Sequence, residues 1–282
     1  MRFVANTLEV RDLSAMTDQD DDDTSEVPRS PDDIPSYELE RALADLTLMD
    51  DPFLRMQITN LTATDQALMN LEQQVLHRLV DEERTPIDDT IILLAFSQMW
   101  LFGAYELLRT WRQRAKDFEK LHANGGIDLK IAALAARGPK VHPVRDVRIE
   151  QLKELRDDPD VIKTLRDDLR RTHIPFRLLE TLRVSLAKHE VSGKKNALPY
   201  ASGYGRINRY TGSLDFEISM DHIILDVVSR RGIADALRAF SDGTPLPDDD
   251  TIKSFDDYIS GVGLPTAPES DAAFGDEADP SE

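Results

Sequence analysis

The stretch 90-TIILLAFSQMWLFGAY-105 decides the fold of this 282-residue chain. Sixteen consecutive residues carry no charge, with charged sequence on both sides. A membrane span needs about 20 apolar residues, and this run also holds Ser97, Gln98 and Gly103. It reads as a buried core helix, with a transmembrane helix as the alternative. Pro86, Asp88 and Asp89 open the helix, which runs through Trp100, Tyr105, Leu108 and Trp111 to about Leu121. Its first half is apolar nearly all round and its second half is charged. That predicts a central helix whose far end leaves the core. Trp100, Phe102, Tyr105 and Trp111 read as core aromatics.

Working outward, the pattern stays helical. Leu68, Leu71, Val75, Leu79 and Val80 recur at helical spacing after Thr64, predicting an amphipathic helix over 65–83. Ser36 can cap a helix to about Met49, with Glu38, Glu40 and Arg41 on its polar side. Downstream, Asn124-Gly125-Gly126 breaks the chain. A short helix over 127–136 ends at Gly138-Pro139. Charged helices over 144–157 and 160–172 flank Asp158-Pro159, and Pro175 starts a helix that Gly193 ends. The period then changes. In 204-YGRINRYTGSLDFEIS-219, apolar and polar residues alternate around Thr211-Gly212-Ser213, which predicts a β-hairpin. The stretch 222-HIILDVV-228 supplies a third strand, and Ser229 caps a closing helix to about Phe240. The expected fold is mainly α: a helical bundle over 34–192, with an appended β-hairpin or meander and closing helix over 193–258. Disordered acidic segments over 1–33 and 259–282 flank it. No internal repeat is visible.

The net charge of −19 sits mostly at the ends. Residues 1–50 carry a net −10 and residues 265–282 a net −6, whereas 103–200 carry a net +7. Acidic tails read as solubilising segments, or as competitors of nucleic acid for a basic groove. The chain has no cysteine, which excludes disulfides, thiolate catalysis and cysteine-ligated zinc. It also fits a reducing, cytoplasmic setting. The opening MRFVANTLEVRDLSAM does not read as a secretory signal. There is no P-loop, dinucleotide fingerprint or Gly-x-Ser-x-Gly elbow. The six histidines lack a second ligand at helical spacing, so no metal or other cofactor is expected.

The stretch 182-LRVSLAKHEVSGKK-195 carries the candidate chemistry. Three Arg–His spacings occur in the chain. Arg137 and His142 enclose Gly138-Pro139, which breaks a helix. Arg166 and His173 fall on one face of a charged helix. Arg183 and His189 have the most apolar setting. This last segment resembles the signature helix of HEPN-type proteins, in which an Arg is followed after four to six residues by a His. The run 185-SLAKHE-190 is similar to the family's small–Leu–Ala–x–His texture, and the resemblance spans about 64–191. Where the family often has a polar residue after the Arg, this chain has Val184.

The resemblance implies a metal-independent endoribonuclease of toxin or defence type. The RNA 2′-hydroxyl attacks the adjacent phosphate, His189 moves a proton, and Arg183 stabilises the phosphoryl charge. It also implies a site shared across a homodimer seam. Positions six apart on a helix differ by about 120° in phase, which fits a shared site. Lys188, Lys194 and Lys195 would add phosphate affinity.

Two further features are open to more than one reading. Tyr200, Tyr204 and Tyr210 beside Arg206 and Arg209 read as a single-strand RNA contact or as cross-strand packing. Arg230-Arg231 lies at the wrong end of its helix for a cation, which marks it as an anion or partner contact. The alternative to a nuclease is a non-catalytic interaction module, whose bundle dimerises and whose hairpin meets a protein partner. In that reading Arg183 and His189 are only cations near a helix C-terminus. A third reading is a regulator whose Asp-rich segments mimic nucleic acid.

Overall fold

The computed structural model describes residues 29–136, 143–187, 205–220, 223–241 and 243–262. Its helices are α1 (Glu38–Ala44), α2 (Pro52–Asp81), α3 (Ile87–Ala123), α4 (Ile127–Ala135), α5 (Pro143–Asp157), α6 (Pro159–Arg171), α7 (His173–Ala187), α8 (Arg230–Arg238) and α9 (Asp249–Ile259). Strands β1 (Arg206–Ile207), β2 (Leu214–Met220) and β3 (Ile223–Ser229) form an antiparallel sheet in the order β1-β2-β3. The expected fold class holds: a mainly helical bundle with a small meander and a closing helix.

Helix α2 starts well before the predicted residue 65. The Asp51 side chain accepts from the N–H groups of Phe53 and Leu54, with Pro52 in the first turn. Thr64 is an interior residue, its hydroxyl turned back to the Asn60 carbonyl. The apolar stripe therefore runs back through Leu61, Ile58 and Leu54, all buried. Helix α3 returns antiparallel to α2, and the Trp100 indole donates to the Leu61 carbonyl at 3.2 Å. Helix α7 in turn runs antiparallel to α3. Tyr105 stacks on Phe176 at 5.6 Å, and Arg112 donates to Thr172 Oγ1 and to the Leu169 carbonyl.

The far end of α3 does not leave the core. Trp111, Ala115 and Phe118 are fully buried there, and the Trp111 indole donates to the Thr47 carbonyl at 2.6 Å. In that half Arg112 is buried, Arg114 lies 3.2 Å from Asp51, and Arg109 and Glu119 pair with Glu106 and Arg166. Burial lowers the Arg112 guanidinium to about 10, with Glu180 and Asp256 opposing the shift, so it stays charged at neutral pH. The near half does the opposite of what its composition predicts. Its inner face is buried at Leu93, Ser97, Trp100 and Leu101, while its outer face is open to solvent.

The meander is seated on the bundle. Leu214, Phe216 and Ile218 point into the same core as α2 and α3. Gly212, at φ +71°, lies flat against α2. A Cβ there would sit 2.0 Å from the Glu72 carbonyl oxygen, so only glycine fits this turn. Ser229 caps α8 as predicted, accepting from the Gly232 N–H at 2.8 Å. Residues 31–33, assigned by composition to the acidic tail, form a 3₁₀ turn that leads into buried Ile34. Helix α9 lies beyond the closing helix expected to about Phe240. Asp248 caps it by accepting from the Thr251 N–H.

Candidate functional site

The Arg–His pairs come first. Arg183 is half-buried on α7, and its guanidinium carbon sits 5.4 Å above the Tyr105 ring. That cation–π contact fixes the side chain beside α3. His189, Lys188, Lys194 and Lys195 lie outside the described residues, as do Arg137, His142, Tyr200 and Tyr204. Arg166 and His173 do not share a helix, contrary to expectation. The chain changes helix at Thr172, whose N–H closes α6 on the Asp168 carbonyl. Arg166 pairs with Glu119 at 2.8 Å, and His173 lies 3.0 Å from Asp256. Arg206 is exposed and pairs with Glu217 across β1 and β2 at 3.0 Å. Arg209 and Tyr210 are exposed in the turn that follows β1.

Arg230 and Arg231 are not a surface contact. Both are fully buried, and so is Arg238 two turns along α8. The anions they meet are internal. Arg230 Nε donates to Glu72 at 2.7 Å, and its Nη1 bonds Asp65. Arg231 reaches Glu72 at 3.5 Å and donates to the Arg29 carbonyl at 3.1 Å. Arg238 bonds Asp65 and Asp235. The Arg230 guanidinium also lies 5.3 Å above the Trp100 ring. Burial alone would lower its pKa, but the charges of Glu72 and Asp65 outweigh burial and hold it above the ordinary arginine value. Three guanidinium groups therefore face three carboxylates, and this cluster clamps α8 to α2. The signal for it lies in α2. Asp65 and Glu72 sit seven apart, on the same stripe as Leu68 and Val75. Charges on an apolar face need buried partners.

Among the described residues, no group of three or more His, Cys, Asp or Glu is placed to hold a metal ion. The most unusual surface is instead the outer face of α3. Ile87, Ile91, Ile92, Phe96 and Met99 are between 46% and 66% exposed, and Ala95 is exposed among them. At about 100° per residue, Ile91, Ala95, Met99, Ile92 and Phe96 fall within about 140° of arc, with Ile87 at its edge. Helix α3 is also the one helix among the described residues long and apolar enough to cross a membrane, with 44% of its most apolar window buried. The sequence pattern marked this run as apolar but did not tell the inner face from the outer. No protein-family model, curated protein or solved structure matches the chain, so the resemblance to HEPN proteins rests on the Arg183–His189 segment and the helices before it.

Proposed function

We propose that this protein is a non-catalytic helical interaction module that self-associates through the outer face of α3. The exposed stripe Ile87, Ile91, Ile92, Phe96 and Met99 carries the reading. Taking each side chain at roughly 200 Å², the exposed fractions give a patch of about 600 Å², at the upper end for a soluble monomer. Two copies facing each other would bury up to about 1,200 Å², the lower bound for a stable interface. An apolar, self-complementary helix face suits a two-fold contact, in which each copy offers the same surface. A bilayer surface fits less well, because the run 87–105 has no Lys or Arg to meet anionic lipid and carries Asp88 and Asp89. A cytoplasmic setting belongs to the same proposal.

The test is the solution mass of the intact chain by light scattering after size exclusion. Wild type is expected at twice the 31.8 kDa chain mass. Phe96→Asp and Met99→Lys, both at exposed positions, should return it to the chain mass with unchanged helical content. A wild-type monomer at tens of micromolar would remove the proposal, and a mass that falls only when detergent is added would point to lipid instead.

RNA cleavage by Arg183 and His189, as in a toxin or defence-type nuclease, is a second proposal. It is favoured by the placement of Arg183, half-exposed and braced on Tyr105, on the last described helix before His189. The test is cleavage of a mixed RNA pool in excess EDTA, with His189→Ala and Arg183→Ala as controls. Cyclic-phosphate ends from wild type alone would support it. Equal inertness of all three proteins would remove it.

A further inference from the structure

Helix α9 is attached to the bundle in an unusual way. It runs parallel to α7, with its first turn beside the last turn of α6, and its carboxylates meet cations of both helices. Asp249 meets Arg170 at 2.7 Å, and Asp256 meets Arg177 Nε at 3.0 Å. Arg170 and Arg177 are seven apart, as are Asp249 and Asp256. His173, between the two arginines, lies 3.0 Å from Asp256. Arg170 also donates to the Pro247 carbonyl at 3.1 Å. The apolar share of the contact is small. Ile259 is the one buried residue of α9, Phe255 is partly buried, and the Tyr258 hydroxyl donates to the Leu225 carbonyl.

Contacts of this kind make a segment easy to release. Partly exposed ion pairs are weak and are screened by salt, and elements with few buried apolar contacts open first. Helix α9 carries Asp249, Asp250, Asp256 and Asp257 against Lys253 alone, and residues 265–282 add six acidic residues and no basic one. Once α9 lifts, Arg170, His173 and Arg177 lose these carboxylates together. Glu180 still shares Arg177, and Arg166 and Arg171 keep Glu119 and Asp168.

We propose that α6 and α7 form an anion-binding track for a nucleic-acid phosphate backbone, and that α9 is the acidic strap that occupies it. The aspartates stand where phosphates would, one beside the last turn of α6 and one beside the first turns of α7. The track presents charge rather than an apolar groove, so it recognises a repeating anion without reading sequence. Arginine forks at Arg170 and Arg177 suit phosphate oxygens. This inference does not depend on the α3 face.

The experiment measures anisotropy of a fluorescein-labelled 15-nucleotide oligo(U), and of the matching oligo(dT), with the full chain at low salt. Asp249→Asn/Asp256→Asn should bind both at least tenfold tighter than wild type. Adding Arg170→Gln/Arg177→Gln should abolish that gain while the circular dichroism spectrum is retained. The proposal is overturned if the strap variant binds no tighter, or if the gain survives loss of the two arginines. Tightening for RNA alone would overturn backbone recognition. Capture of a peptide of residues 248–262 without capture of either oligonucleotide would reassign the track to an acidic helix of a protein partner.

Discussion

Replacing Glu72 by leucine should be among the most damaging single changes in this protein. Glu72 is fully buried and serves two buried guanidinium groups, Arg230 at 2.7 Å and Arg231 at 3.5 Å. Removing one partner of a buried pair costs about 3–5 kcal/mol, because the other charge stays desolvated. Domain stability totals about 5–15 kcal/mol, so the loss is a large share of it. At about 2–4 °C per kcal/mol for a chain somewhat smaller than this one, Tm should fall by roughly 6–20 °C. The double variant Glu72→Leu/Arg230→Met separates a buried charge effect from lost packing. It leaves Asp65 paired with Arg238, and Arg231 paired with Asp235 at 3.4 Å. Substituting apolar residues for a buried pair is often neutral or stabilising, so the double variant should recover at least half of the lost Tm. Thermal unfolding followed by circular dichroism reads both effects. A single variant that loses under about 1 kcal/mol, as a surface pair would, refutes the buried clamp. So does a double variant less stable than either single.

Three further outcomes follow from local geometry. Gly212→Ala should cost more than about 2 kcal/mol, since it combines a positive-φ penalty with a Cβ 2.0 Å from the Glu72 carbonyl. Gly125→Ala, at φ +69° with nothing within 4 Å, should cost only about 1 kcal/mol. Urea midpoints at constant m value compare the two. Burial alone would raise the Asp256 carboxyl, but His173 and Arg177 outweigh burial and hold it below the usual carboxylate range. Its contribution is therefore present above about pH 4 and lost as pH falls through the lower folded value. Pepsin should accordingly cut α9 first at low pH, and Asp256→Asn should remove that pH dependence. Salt should act in opposite directions on the two surfaces. Raising it screens repulsion between acidic chains and tightens an apolar dimer, whereas it loosens α9. Sedimentation and proteolysis, each measured across a salt series, should separate the two trends.

Much of the architecture is written in local patterns. The stripe from Leu68 to Val80, the Gly125-Gly126 break, the alternation around Gly212 and the Ser229 cap each act within a few residues, and each placed its element. Two elements differ from that reading. The expected start at residue 65 falls inside α2, because Asp51 and Pro52, far from the stripe, form the end of the helix. Helix α9 lies beyond the closing helix expected to about Phe240, although Asp248, Ile252, Phe255 and Ile259 give a cap and a helical stripe. The site was less legible than the fold. Arg230-Arg231 stood out at the wrong end of a helix, yet its partners Asp65 and Glu72 are more than 150 residues away along the chain. Likewise, which side of the apolar run in α3 meets the core depends on packing against α2 and α7, which no local pattern encodes.

Self-association through the α3 face is tested most directly by a thiol at its centre. The chain has no cysteine, so Ala95→Cys introduces a single reactive group among Ile91, Ile92, Phe96 and Met99. The measurement is the rate of maleimide labelling across a protein concentration series. A face seated against a second copy predicts fast labelling in dilute protein, slowing as concentration rises, with fast labelling at every concentration once Phe96→Asp is added. A rate that stays fast and independent of concentration would contradict the account.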